Sequence, residues 1–319
     1  MKVFLAAALA LASLAAPAFA DDYPTKPIRV FTTSSAGGIS DIFMRVLDDK
    51  LSSRLGQRMI VENKPGAQGN IASRACSEAP PDGYTICIIN ADPIIYNQFL
   101  FKHLGFDPEK GLVPIINLFH LIQVVVVNSD LHVKSVDELV ALSKAKPGTL
   151  NYVTASLPLV VYMDRLHNQK GADWVRVPFK GGGEATNGII SGHTPIGLIG
   201  LGNVISHIRA GKMTALALTN NIRTPQLPDV PTFADLGYTG APSQTWYGLF
   251  APAGTPRAIV DKLNKEIAAV VSDPEFKDKF LIQRGLVPAI GTQEDFAAEI
   301  KRDRAAAQEV VKESGMEMQ

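Results

Sequence analysis

Short apolar, β-branched runs recur along the chain, separated by longer stretches whose apolar residues fall at helical spacing. The runs are IRVFT from Ile28, MIVE from Met59, YTICII from Tyr84, QVVVV from Gln123, LNYV from Leu150, WVRV from Trp174 and TALAL from Thr214. β-branched side chains are stiff and pack well on a pleated surface, so each run predicts a strand. After the first run, Ile42, Phe43, Val46, Leu47, Leu51 and Leu55 share one face, which predicts an amphipathic helix. Strand and helix in alternation predict a mostly parallel sheet covered on both sides.

Boundary residues sharpen the helices. Ser135-Val136-Asp137-Glu138 reads as a capping box, and Lys146-Pro147-Gly148 as a helix end. Thr255-Pro256 and Asp273-Pro274 each pair a capping residue with proline at the first helical position. Thr292 is expected to cap a last helix running to Gly315. The stretch TPQLPDVPTF, Thr224 to Phe233, reads as an extended surface connection rather than a flexible linker.

The first twenty residues differ from the rest. Lys2, an alanine-rich apolar run and Ala18-Phe19-Ala20 before Asp21-Asp22 read as a secretory signal cleaved after Ala20. No later segment has the long uninterrupted apolar character of a membrane span, so a soluble, exported chain is expected. What remains after the signal exceeds the length one average core serves, which predicts two compact lobes.

Charge narrows the partner. Thirty-one basic residues balance thirty-one acidic ones with no basic stripe or acidic tail, so a small solute fits better than nucleic acid. The two cysteines, Cys76 in a helical stretch and Cys87 in the next strand, leave open one bridge or two buried thiols.

Catalytic signatures are missing: there is no GxSxG elbow, HExxH, CxxC or phosphate loop. His103, His120, His132, His167, His193 and His207 never fall at a zinc-ligand spacing. A triad assembled in space from scattered Ser, His and Asp stays open at this point, since triads are defined by geometry. The glycines of FKGGGEA lack the order and acidic partner of dinucleotide binding, and read first as a turn before a helix.

One stretch carries more. VFTTSSAGGISDIF places a strand, a small polar loop and a helix start in succession. A helix start offers unpartnered N–H groups and a partly positive dipole, and adjacent glycines let the backbone approach an anion. Ser34, Ser35, Ala36, Gly37, Gly38 and Ser40 are therefore candidate carboxylate-binding residues. Asp41 competes for the same field, so a ligand loop and a self-capped turn are both open.

YPTKPIRVFTTSSAGGISDIF, VENKPGAQGNIASRACSEAPPDGYT, KSVDELVALSKAKPGTLNY, VPFKGGGEA, IRAGKMTALAL, LPDVPTFADLGY and WYGLFAPAGTP together resemble the extracytoplasmic solute receptors of tripartite tricarboxylate transporters, the Bug or TctC-like proteins. The likeness covers nearly the whole chain after the signal. It implies an α/β two-lobed periplasmic binding protein fold of type II kind, with lobe I at 21–124 and 245–319 and lobe II at 125–244. It also implies a monomer in the periplasm that closes over a small carboxylate and passes it to integral membrane permease subunits. Neither enzyme activity nor a cofactor, metal or nucleic acid is implied. Signalling to a periplasmic sensor protein, or an exported enzyme, are the alternatives.

In such receptors the loop after the first strand and a facing loop of the second lobe hold the carboxylate. Here these are Ser34 to Asp41 and the segment Thr154-Ala155-Ser156-Leu157-Pro158, with Asn90 and Asp92 lining the next loop. Lys180, Gly202 and Asn203 complete the expected set, and Trp246-Tyr247 borders the cleft or packs. The chain departs from the family in its second lobe. Leu157, Pro158 and Leu159 replace a glycine–serine loop, Tyr162 stands where a histidine is common, and Pro195 and Ile199 replace two acidic residues. Fewer donors suit a carboxylate with a flat or hydrocarbon body, such as terephthalate, protocatechuate or a benzoate relative, beside aliphatic dicarboxylates. Alternatively Leu157, Leu159 and Ile199 simply pack the interior.

Overall fold

The computed structural model describes residues 22–154, 157–177, 179, 182–219, 223–237 and 245–314, so the expected signal lies outside the described residues. In chain order the elements are β1 (Ile28–Thr32), α1 (Ile39–Leu55), β2 (Met59–Asn63), α2 (Asn70–Ser77), β3 (Thr85–Asn90) and α3 (Ala91–Ile95). Then come β4 (Leu112–Leu121), β5 (Gln123–Asn128), α4 (Val136–Ala145), β6 (Asn151–Thr154), α5 (Leu157–Lys170), β7 (Val175–Arg176) and α6 (Gly182–Ile190). The remainder is β8 (Ile196–Gly200), α7 (Leu201–Arg209), β9 (Met213–Leu218), β10 (Trp246–Pro252), α8 (Arg257–Val271), α9 (Pro274–Phe280), β11 (Leu286–Pro288) and α10 (Gln293–Ser314).

Two sheets result, ordered β11-β4-β10-β3-β1-β2 and β7-β6-β8-β5-β9. Both are mixed rather than mostly parallel. β1 runs parallel to β2 and β3, and β6 parallel to β7 and β8, because a helix joins each successive pair. The antiparallel pairs come from the crossings. β4 ends in the first sheet and β5 opens the second with only Ile122 between them, while β10 returns the chain to the first sheet. A returning strand runs opposite to the outgoing one, and Trp246 of β10 accordingly faces His120 of β4.

Alternation along the strands sorts the first sheet's core. Val30, Ile86 and Leu249 turn to one face and pack with Phe43, Met44, Leu47 and Leu51 of α1 and Leu263 and Ile267 of α8. Phe31, Cys87, Trp246 and Phe250 turn to the other, against Cys76, Phe296 and Ile300. The buried stripe of α1 runs through Phe43, Leu47, Leu51 and Leu55, whereas Ile42, expected on it, is 38% exposed. Cys76 and Cys87 are disulfide-bonded with Cα atoms 6.2 Å apart, so one bridge ties α2 to β3.

Three of the expected caps form. Ser135 accepts from the Glu138 N–H at 3.1 Å, Asp273 Oδ1 from Phe276 at 2.9 Å, and Thr292 and Asp295 cap each other reciprocally. At α8 the cap is Pro256 itself; the Thr255 hydroxyl instead donates to the Pro252 carbonyl at 2.7 Å.

The crossing is fastened by polar groups. Ile122 donates to the Gly285 carbonyl at 3.3 Å and accepts from Leu201 at 2.8 Å, joining the two sheets' loops at the linker. Glu299 of α10 accepts from Asn117 Nδ2 at 2.8 Å and lies 2.6 Å from His120 Nε2. α10 also packs against α5, which belongs to the second sheet's half.

Candidate functional site

Since β1, β2 and β3 are parallel, the loops that leave them emerge at one sheet edge, where ligands of open α/β sheets sit. The three loops meet on Gly69: a Cβ there would lie 3.1 Å from each of Thr33 Cγ2, Asn90 Oδ1 and Pro93 Cγ. Gly69 also has φ +92, so glycine is required twice over.

In the first loop the hydroxyls of Ser34 and Ser40 turn inward. Ser40 is fully buried, bonds to Thr32 Oγ1 through a short contact and donates to Ser34 Oγ at 2.6 Å. Asn63 Nδ2 braces the loop from β2 by donating to the Ser34 carbonyl at 3.0 Å. Ser35, Ala36 and Gly37 are exposed.

Asp41 takes part of the loop's donors. Its Oδ2 accepts from the Gly37 N–H at 2.9 Å, and its Oδ1 from Asn63 Nδ2 and Arg45 Nε, each at 3.0 Å. Burial works against its ionisation, but Arg45, the Gly37 N–H and Asn63 together outweigh it and hold the carboxyl below the usual range. The helix start itself is a different matter. Gly38 is the N-cap and has no side chain to cap with, so among the described residues the N–H groups of Ile39 and Ser40 find no protein acceptor. The loop is braced by its own aspartate, with Arg45 at 2.8 Å offsetting the aspartate's charge, and leaves those two N–H groups without a protein acceptor.

The second loop was absent from the expected set although KPGAQGN lay within the resembling stretch. Gly66, Ala67, Gln68 and Gly69 all have positive φ, at 119°, 44°, 51° and 92°. Non-glycine residues held there cost of order 1–3 kcal/mol each. Packing holds them: Asn97 Nδ2 donates to the Gln68 carbonyl at 3.2 Å and to Asn70 Oδ1 at 2.8 Å. Two non-glycines inside a glycine-bounded turn give no signal of left-handed backbone by type alone.

In the third loop Asn90 Nδ2 donates to Asp92 Oδ2 at 2.9 Å, while Asp92 Oδ1 is enclosed without a partner. Tyr247 faces Asn90 across the strand pair and stacks on Phe119 at 5.4 Å. Its strand neighbour Trp246 points to the opposite face and is fully buried, so of that pair only Tyr247 borders this edge.

The second sheet's candidates divide. Thr154 ends β6 and is buried, and Leu157 opens α5. Ser156 and Lys180 lie outside the described residues, as do the side chains of Leu157 and Pro158. Leu159 and Ile199 are both core residues, 3% and 7% exposed. Gly202 sits at the seam between the sheets, where a Cβ would lie 2.6 Å from the Arg284 carbonyl oxygen, and Asn203 beside it is exposed. Among the described residues no helix is long and apolar enough to cross a membrane, and no metal-holding cluster occurs.

The family model described as tripartite tricarboxylate transporter family receptor matches residues 43–316. BugT of Bordetella pertussis (strain Tohama I) is 30% identical over 313 residues, covering 97% of this chain and 96% of BugT. An R. palustris protein solved with adipate superposes at TM-score 0.85 with 26% identity, over 93% of this chain and 100% of that one. The periplasmic binding protein BugD superposes at TM-score 0.82 with 29% identity, again over 93% and 100%. With mixed sheets, crossing strands and flanking helices matched along whole chains, this chain belongs to the tripartite tricarboxylate transporter receptors, a family of solute-binding receptors rather than enzymes.

Proposed function

We propose that the chain is exported to the periplasm, loses its leader after Ala20, and captures a small aliphatic dicarboxylate for delivery to the transporter's membrane subunits. One carboxylate docks on the Ile39 and Ser40 N–H groups at the start of α1. The lobes, 21–124 with 245–319 and 125–244, close over the solute as a monomer, the bound ligand favouring the closed form by touching both. The uncapped helix start at the edge where three loops meet carries this reading. The Thr154 to Pro158 segment, Lys180 and Asn203 are the second lobe's contribution.

Two observations favour an aliphatic over an aromatic solute. Leu159 and Ile199 are spent on packing and are not available to clasp a ring. The R. palustris neighbour was solved with adipate.

A thermal-shift panel of adipate, malate, benzoate and terephthalate tests the choice, because a ligand of the folded state raises its melting temperature. Adipate or malate should stabilise the chain and bind one-to-one in calorimetry without turnover. Stabilisation by the aromatic acids alone contradicts the aliphatic reading, and uptake unaffected by deletion of the gene contradicts delivery.

A further inference from the structure

Asp92 is the buried acid of this edge. It is 8% exposed, its Oδ2 is held by Asn90, and its enclosed Oδ1 has no hydrogen-bond partner. Buried polar atoms are nearly always paired, and one left unpaired calls for an explanation. An ionised carboxylate is an acceptor only, and two anions close together in a shielded site repel. A neutral carboxyl is a donor.

We propose that Asp92 enters the ligand complex as a neutral acid and donates its proton in a hydrogen bond to the solute carboxylate remote from α1. The inference rests on the dicarboxylate reading above. It makes Asp92 a specificity residue: while it is protonated, the group opposite it must accept a hydrogen bond, as a carboxylate does. Rotation about the Cβ–Cγ bond exchanges the two oxygens, so Asn90 keeps its acceptor while the other oxygen carries the proton.

The surroundings agree. Burial pushes Asp92 up to about 7 against the opposing Asn90 hydrogen bond, and no cation offsets it. β3, β10, α10 and the turns Ala67–Gly69 and Asn97–Phe99 pack against α3. From β10 comes Tyr247, whose phenol is pushed up by burial and then by Asp92, and which stays neutral. From α10 come Asp303, engaged by Trp246, and Arg304, which donates to the carbonyls of Ile94, at 3.1 Å, and Pro108. The turns bring only the uncharged polar side chains of Gln68, Asn97 and Gln98, Asn70 beside them opens α2, and Tyr96 beside α3 is buried. An anion arriving next to such a carboxyl raises its proton affinity further.

The test is calorimetry with adipate and with malate at pH 6, 7, 8 and 9, in buffers of different ionisation enthalpy, on the unmodified chain and on Asp92→Asn. The account expects wild-type affinity to fall about tenfold per pH unit above the Asp92 value, with uptake of nearly one proton at pH 9. Asp92→Asn should bind independently of pH. Wild-type binding that is flat from pH 6 to 9 without proton uptake overturns the proposal, and this readout needs no variant to fold. The same pH slope persisting in Asp92→Asn also overturns it. No binding of adipate or of malate at any pH overturns it together with the dicarboxylate reading, whereas pH-independent binding of either overturns it alone.

Discussion

The indole Nε1–H of Trp246 donates to Asp303 Oδ2 across 2.9 Å, at the first strand residue after the chain returns to the first sheet. One turn earlier on the same helix, Glu299 engages His120, the strand partner of Trp246. The two acids of α10 thereby hold both crossing strands beside the linker, and the helix reaches across to α5. Burial lifts the Asp303 carboxyl to about 6 in spite of the indole bond.

A folded-state value above the ordinary one means the folded chain binds the proton more tightly, so this group's stability contribution is largest in acid. It declines as pH rises through about 6 and is constant above that. Asp303→Asn keeps an acceptor for the indole and removes the buried charge. The variant should be more stable at pH 8, by up to about 3 kcal/mol, with the gain shrinking toward pH 4. Urea unfolding at both pH values measures this, and an equal difference at both contradicts it.

Gly38 and Gly37 fail substitution for different reasons. A Cβ on Gly38 would lie 2.5 Å from Ser34 Cβ, whereas Gly37 has open space but φ +80. Gly38→Val and Gly37→Val should each weaken carboxylate binding by at least about tenfold while circular dichroism stays native, since left-handed strain at Gly37 costs only about 1–2 kcal/mol and the clash at Gly38 is with Ser34 of the same loop. Calorimetry showing unchanged affinity in both variants contradicts the role assigned to this loop.

The Cys76–Cys87 bridge closes a short loop between α2 and β3 inside the apolar cluster around Trp246. Replacing both cysteines with serine should lower unfolding free energy by about 2–4 kcal/mol. Denaturant titration with and without reductant is the check: the wild-type midpoint should drop on reduction and the double variant's should not move.

Gly202→Val places a branched side chain where a Cβ already approaches the Arg284 carbonyl to 2.6 Å. Backbone on both sides leaves no flexible group to yield, so the seam between the sheets must open. Small-angle scattering should give the variant a larger radius of gyration, and calorimetry a weaker ligand, with α1 untouched. An unchanged radius would mean the seam is not a constraint.

Period and capping chemistry made much of this fold legible. The seven β-branched runs fall on β1, β2, β3, β5, β6, β7 and β9, and Ser135, Asp273 and Thr292 cap as their types require. β4 and β8 were harder, because Pro114 in the one and Gly192, Pro195, Gly197 and Gly200 around Ile196 in the other interrupt their apolar runs. Sheet direction was not legible either: whether WYGLF runs with or against its neighbours depends on which lobe the chain leaves, a non-local fact. At the site, the glycine pair before α1 was readable from type and place. The left-handed Ala67 and Gln68 were not, because tertiary contacts rather than residue type impose that backbone. Asp92 and Asn90 were legible as lining residues, but their pairing and the orphaned oxygen exist only in three dimensions.

The most direct test of the account is a crystal structure of the chain with adipate, or whichever dicarboxylate the thermal panel selects. The account predicts one carboxylate with an oxygen within about 3 Å of the Ile39 and Ser40 nitrogens, and Asp41 still bonded to Gly37. A solute anchored away from α1, with those two N–H groups facing only water, contradicts it.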